Sequence, residues 1–310
     1  MRTFVSEADL HDLVRATYGA DRRLRELTRL PGGTTKGVYR LTLDDGSTVL
    51  LYRWTADENF WPAQTGLSVG PFDADTGRDG FVRAYAVLRG LGVRVPEIVA
   101  MGPDHALVEE VRGGSLETLL ERDAVAGREA LGRLGEMLRT MHSHTADSFG
   151  FPGATPAGFA LQRGLNSLSA AAAREPRIAA EQTRLADELH TRYAAVRPRS
   201  GYGFIHGEIG ADHVLIGPAG EPVLIDIEGS MFFDVEWEHA FLELRFGPLY
   251  PALRTVPLDP ARLAHYRLVH YLSLVAGPLQ IIEGDFPNVA GMRSIAEDNT
   301  RRALGEIATA

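Results

Sequence analysis

The sequence predicts a two-lobed α+β protein, a small and mostly antiparallel sheet lobe followed by a mainly helical lobe. Three observations carry this. Between residues 24 and 111 apolar and polar residues alternate at the period of a strand. After Val111 the apolar spacing changes to that of a helix, and one apolar hairpin, residues 213–229, interrupts the helical half. The 310 residues exceed the roughly 100–200 of one ordinary domain. The lobes are expected over residues 1–110 and 111–310, with the break marked by Arg112-Gly113-Gly114.

The elements follow in order. SEADLHDLVRATY (6–18) reads as a helix, with Ser6 as N-cap and Asp9 three residues on. LRELTRL (24–30), VYRLTLD (38–44) and TVLLYRW (48–54) read as strands, the last two joined by the turn Asp44-Asp45-Gly46-Ser47. PGGTTKG is a glycine-bearing turn between the first two. Residues 55–78 are irregular, 80–92 read as a helix, and VPEIVAMG and HALVEEV read as two further strands. Helical patterns then cover LETLLERDAV, REALGRLGEMLRTMHSH, 160–196 and the stretch from 232 to the C-terminus.

Composition excludes several classes. Hydrophobic residues make up 45% and charged residues 24%, which are globular values. With no cysteine, disulfide scaffolds, thiolate zinc sites and cysteine nucleophiles are excluded. A net charge of −9 argues against nucleic acid as partner. Lys36 is the only lysine, so chemistry that needs a lysine uses it or does without. The first residues carry no apolar run of signal-peptide length. The longest apolar stretch, 268–282, is interrupted by His270, Ser273, Pro278 and Gln280. A cytoplasmic protein without a membrane partner is expected.

Two short motifs are decoys. GLSVG (66–70) matches the serine-hydrolase G-x-S-x-G but lacks the apolar strand that must precede it. His142 and His144, two residues apart near a helix end, do not share a helix face. Neither a Walker A sequence nor a G-x-G-x-x-G is present.

GFIHGEIGADHVLIGPAGEPVLIDIEG (203–229) differs from these. An apolar strand ends at His206-Gly207; Glu208, Asp212 and His213 follow in a short loop. A hairpin then delivers Asp226 and Glu228 after Val223-Leu224-Ile225. Acids and imidazole gathered where apolar strands end suit cation binding, proton transfer or both. The stretch resembles the catalytic and metal-binding segment of the aminoglycoside phosphotransferase and choline kinase-like family, whose fold is protein-kinase-like. HGEIGADHVL and LIDIE stand where that family has H-G-D-x-x-x-x-N-x-L and its I-D with an acid two residues on. LPGGTTKGVYRL resembles the family's phosphate loop, ALVEEVRGGSLETLL its hinge and following helix, and LGRLGEMLRTMHSH the helix before the catalytic loop.

The resemblance implies a kinase using ATP or GTP with Mg²⁺. Glu208 stands at the catalytic aspartate, with His213 at the asparagine and His206 in the same catalytic loop. Asp226 stands at the metal aspartate, with Asp212 or Glu228 assisting. Thr34, Thr35, Lys36 and Gly37 would cover the phosphates, and Val108, Glu109, Glu110 and Val111 would meet the purine through backbone groups. The chain departs from the family at four places. Glu replaces Asp at 208 and His replaces Asn at 213. Arg53 is the nearest basic group to a third strand without lysine, and residues 80–92 carry no acid to pair with it. The expected function is phosphorylation of a hydroxyl on a small molecule such as an amino sugar, an aminoglycoside-like compound or an amino alcohol. Residues 155–200 and 232–246, with Asp234, Glu236 and Glu238, are expected to wall the acceptor site. A Ser/Thr kinase acting on a biosynthetic peptide and a catalytically dead pseudokinase scaffold are the alternatives.

Overall fold

A computed structural model describes residues 2–62, 77–149 and 155–308. The GLSVG motif lies outside the described residues. Five strands, β1 (Leu24–Arg29), β2 (Gly37–Leu43), β3 (Thr48–Arg53), β4 (Ile98–Met101) and β5 (His105–Glu109), form one antiparallel sheet in the order β1-β2-β3-β5-β4. The β2–β3 turn closes as its residues dictate: Asp45 accepts from the Ser47 N–H at 3.0 Å and Gly46 takes φ 81°.

Both faces of the sheet are covered. Leu41, Leu43, Val49 and Leu51 pack on Leu10 and Val14 of the N-terminal helical segment, which contains α1 (His11–Tyr18). That segment begins at Ala8, one residue later than Ser6 as N-cap predicts, with Glu7 at the cap. The Ser6 N–H and hydroxyl both donate to the Asp9 carboxylate, but the first turn, Ala8–Leu10, is a 3-10 turn. On the opposite face, Leu50 and Tyr52 join Phe81, Ala84 and Leu88 of α2 (Arg78–Gly90).

The remainder is mainly helical. α3 (Leu116–Arg122) and α4 (Ala124–Ser143) are separated by Asp123, whose carboxylate accepts from the Val125 and Ala126 N–H groups. The expected helix over 160–196 is three: α5 (Pro156–Ala172), α6 (Pro176–Ala180) and α7 (Gln182–Ala195). Pro176 has no N–H to continue a helix and starts a new one instead, capped by Glu175. The expected hairpin is present as β8 (Val214–Ile216) and β9 (Pro222–Leu224).

A small sheet, β6 (Thr145–Ala146), β7 (Tyr202–Ile205) and β10 (Met231–Phe233), holds β7 in the middle. β10 takes up Phe232 and Phe233, where a helical pattern is expected; α8 (Val235–Phe246) begins only after Asp234. α9 (Pro260–Ile281) packs between α5, α8 and α10 (Val289–Ala308). Among the described residues no helix is long and apolar enough to cross a membrane. One core runs from the sheet's inner face through Leu131, Leu134 and Leu138 of α4 to Val214 and Leu224 of the hairpin. Each such fully buried leucine contributes about 1.5–3 kcal/mol. That core fixes the hairpin, and the residues it delivers, against the sheet.

Candidate active site

The loop expected to be catalytic, residues 206–213, hangs from β7, whose four residues are all buried. Gly207 takes φ 95°, a left-handed turn that glycine adopts without steric cost, and the chain swings from strand to loop there. His206 is buried, and its Nε2–H donates to the Ile225 carbonyl at 2.9 Å while Nδ1 accepts from the Glu208 N–H at 3.4 Å. Burial lowers its pKa, so the ring is neutral and holds this tautomer. His206 therefore ties the loop to the strand end before Asp226. It was expected among the catalytic residues; the structure makes it a positioning residue, because both ring nitrogens are committed.

A second clamp comes from α8. Glu238 is fully buried, accepts the N–H groups of His206 at 3.1 Å and Gly207 at 2.9 Å, and meets His142 Nε2 at 2.7 Å. Burial alone would raise its pKa, but the His142 bond and charge outweigh that and hold it below the ordinary value.

Glu208 follows, with its side chain exposed. The His213 ring supports it from behind: Nδ1 donates to the Glu208 carbonyl at 2.7 Å. The other nitrogen, Nε2, lies 3.8 Å from Asp226 and 3.9 Å from Asp212. Asp226 is the only described non-glycine residue with positive φ, at 62°. Aspartate tolerates this region better than most residues, and its backbone is pinned just before it. Ile225 donates to the His213 carbonyl at 3.1 Å and accepts from His206.

Above this floor sits the loop between β1 and β2. Lys36 is 5% exposed, and its Nζ lies 2.6 Å from Asp226 and 2.5 Å from Glu228. Burial opposes the ammonium charge, but the two carboxylates outweigh it and hold Lys36 above the ordinary lysine range. In return the Lys36 charge holds Asp226 below the usual carboxylate range. Glu228, buried as well, is pushed up by desolvation. Two glycines flank the lysine for steric reasons. A Cβ at Gly33 would stand 2.2 Å from the Lys36 carbonyl, and one at Gly37 would stand 2.4 Å from the Glu58 carboxylate.

The sheet lobe, the loop over it and the acid-bearing hairpin are the parts of a kinase cleft. The profile described as the phosphotransferase enzyme family matches residues 26–248. The chain belongs to the phosphotransferase enzyme family. It is accordingly a phosphotransferase with an alcohol group as acceptor. Solved structures agree in fold. Choline kinase LicA from Streptococcus pneumoniae aligns at TM-score 0.65 and 13% identity, over 98% of this chain and 99% of that one. Spectinomycin phosphotransferase APH(9)-Ia, in complex with ADP and spectinomycin, aligns at 0.62 and 13%, over 98% and 99%. A thermostable mutant of aminoglycoside phosphotransferase APH(4)-Ia aligns at 0.61 and 17%, over 95% and 99%. No curated protein matches the chain in sequence.

Several residues expected in the site of this phosphotransferase lie elsewhere. Arg53 shares the sheet face of Val49 and Leu51, away from the cleft, and pairs with Asp104 at 3.3 Å. β3 is buried on both faces, so its sequence does not say which face looks into the cleft. Asp212 is drawn to Arg245 at 2.6 Å, and no three metal-binding side chains converge among the described residues. Asp226 and Glu228 do converge, on Lys36 rather than on Asp212.

Glu236 and Glu238 are interior groups; Asp234, also buried, lines a small cavity with Thr155, Tyr193, Arg199, Tyr202 and Arg262. Asp234 pairs with Arg262 at 3.1 Å and accepts from Tyr266; Glu236 pairs with Arg199 at 2.6 Å. The missed residue is Glu238 as loop clamp. Charged residues are rarely buried unless paired, and no local spacing announces the pairing with His142, ninety-six positions away. At the hinge, the Glu109 carboxylate is bound by Arg94 and that of Glu110 by Arg40. Val111 is buried, so only backbone there can serve a ligand.

Proposed function

We propose that this phosphotransferase moves the terminal phosphoryl group of ATP or GTP onto a hydroxyl of a small molecule, with Glu208 accepting the hydroxyl proton. The observation that carries the reading is the His213 ring, which supports the Glu208 backbone with one nitrogen and faces Asp226 with the other. One imidazole thus sets an exposed acid beside an anionic, cation-seeking group. Phosphoryl transfer asks for positioning and charge neutralisation more than covalent assistance, so this arrangement suffices in kind.

In this reading the nucleotide phosphates lie under Thr34, Thr35, Lys36 and Gly37, and the purine edge meets the backbone of Glu110 and Val111. Asp226 is the residue that would hold Mg²⁺. Magnesium takes one or two carboxylates with phosphate oxygens and water rather than an all-protein cage. Asp226 fits that role: its side chain is 45% exposed while that of Glu228 is 7% exposed. The ion would neutralise charge on the phosphate oxygens. His213, a poor magnesium ligand, is better suited to holding the loop.

An amine-bearing alcohol is the favoured acceptor: an amino sugar, an aminoglycoside-like compound or an amino alcohol. The support is the net charge of −9 and the exposed Glu208. Structures of like fold that are named for an aminoglycoside, spectinomycin and choline agree with it. The test is transfer of labelled phosphoryl from ATP and GTP to a panel of amino sugars, amino alcohols, neutral sugars and seryl peptides. Transfer to amine-bearing alcohols, lost in Glu208→Ala, is expected. Transfer to peptides alone would overturn the acceptor class.

A further inference from the structure

The site contains a lysine, but not where a strand would deliver it. β3 presents Leu50 and Tyr52 to the inner core, and Tyr52 is its last inward residue. The helix packed over it, α2, buries Gly80, Phe81, Ala84 and Leu88 and offers no acid there. Strand and helix instead meet through rings: Phe81 lies 5.8 Å from Tyr52, edge to face, and 5.3 Å from Trp54. An ammonium–carboxylate pair has no place in that contact. The only lysine of the chain comes from the loop instead, and its Nζ stands 5.0 Å from the centre of the Tyr52 ring. Its acid comes from the turn after Asp226, as Glu228. α2 packs on that same turn.

Resting on the nucleotide reading above, we infer that Lys36, held by Glu228 and seated on Tyr52, is the phosphate-positioning lysine of this enzyme, moved from β3 to the loop before β2. Three points favour this over a plain structural ion pair. First, the charges do not balance: one ammonium faces two carboxylates, and the excess anion is on the more exposed Asp226. A purely structural pair would close on itself, because buried charge without full compensation is costly. Second, an ammonium has three N–H groups. Asp226 and Glu228 take two, which leaves one for a phosphate oxygen, and a second if Asp226 is given up to a cation. Third, the loop is built to hold Lys36 in one place. Gly33 and Gly37 allow the close approaches around it, and the Phe60 N–H donates to the Thr34 carbonyl at 2.8 Å. Placement on a fixed backbone is what a positioning residue requires.

The experiment is titration calorimetry of ATP and GTP without metal, in EDTA, where Asp226 cannot contribute through an ion. Lys36→Met is expected to weaken binding at least tenfold. The double variant Lys36→Met with Tyr52→Lys returns the lysine to the strand and is expected to recover most of that loss. Glu228→Gln is expected to fall between the parent and Lys36→Met. A Lys36→Met protein that binds as tightly as the parent overturns the inference and leaves the nucleotide reading intact. A parent that binds neither nucleotide, with or without Mg²⁺, defeats the nucleotide reading itself. A second measurement needs no variant. An acyl-phosphate derivative of ATP or GTP acylates an amine lying near the phosphates, with the nucleotide as leaving group. Lys36 is the only side-chain amine, so peptide mapping gives a direct answer. Label on Lys36 that excess nucleotide blocks supports the inference; label confined to the N-terminal amine contradicts it.

Discussion

At the scale of one residue, Glu208 is the proposed base. Its side chain is one methylene longer than aspartate, about 1.5 Å of reach. Transfer needs reacting atoms about 3–3.5 Å apart, so if Glu208 is the base, the loop or the acceptor must be set back to suit the longer arm. The His213 bond to the Glu208 carbonyl provides a fixed setting for it. Glu208→Asp is therefore expected to slow single-turnover phosphorylation rather than improve it. Glu208→Ala is expected to slow it by roughly 10²–10⁴-fold, the range for a positioned base, with nucleotide affinity nearly intact. A faster Glu208→Asp enzyme would contradict the set-back loop, and equal rates for parent and Glu208→Ala would remove Glu208 as base. This residue was legible in the sequence because a polar group closes an apolar strand there. Lys36 was legible as the sole lysine of a glycine loop, but not as a buried partner of Asp226 and Glu228. That contact spans the lobes, and no local pattern encodes it.

The element that holds the strand–loop junction at residues 206–208 is α8. Its residues Glu236 through Leu242 are buried without a break, so the helix lies within the lobe rather than along the cleft. From there Glu238 holds two backbone N–H groups of the strand–loop junction and one histidine of α4. Glu238→Ala would leave those N–H groups and the His142 ring without their acceptor. The expected loss is about 3 kcal/mol, in the range for breaking a buried charged pair, read by urea unfolding. Glu238→Gln keeps an accepting oxygen and is expected to lose less. A loss below about 1 kcal/mol for Glu238→Ala, within the range of an ordinary hydrogen bond, would show that the clamp is dispensable. Nothing in the sequence around Glu236 and Glu238 announces that they are interior. Burial of this helix on every side depends on α4, α9 and the small sheet, which single-sequence periodicity does not contain. Elements with local signals fared better. The Asp45–Ser47 turn and the β8–β9 hairpin were plain, whereas the breaks at Asp123 and Pro176 needed capping read more closely than apolar spacing.

At the scale of the whole molecule, buried histidines set the response to acid. Burial pushes His239 down to about 3 and His265 and His270 to about 4, from an ordinary 6.5, and lowers His206 as well. The unfolded chain takes up these protons below about pH 6.5, while the folded chain refuses them. The unfolded state then binds more protons, so stability falls as pH drops from 6.5 toward 4. His239, His265 and His270 each contribute on the order of 2 kcal/mol of this loss at pH 5. Denaturant unfolding between pH 5 and 7.5 is expected to show a rise of several kcal/mol with pH. A flat profile would mean that the histidines are protonated in place. The lobes share one continuous core from Tyr52 and Phe81 to Leu224, so a single cooperative transition is expected for the folded unit. The two-lobed α+β architecture was legible from the change of period near residue 111; the shared core was not, because contacts between distant segments leave no period.

Asp226, Lys36 and the loop above them are proposed as a nucleotide phosphate site. Calorimetric titration of ATP and GTP into the parent and into Asp226→Asn, each with and without Mg²⁺, tests it most directly. Asparagine keeps the shape of aspartate and removes the hard anionic ligand. The parent is expected to bind ATP or GTP more tightly with Mg²⁺, and Asp226→Asn to lose at least tenfold of the magnesium-dependent affinity while its metal-free affinity changes little. A parent that binds neither nucleotide at millimolar concentration, or an Asp226→Asn protein with an unchanged magnesium effect, would contradict it.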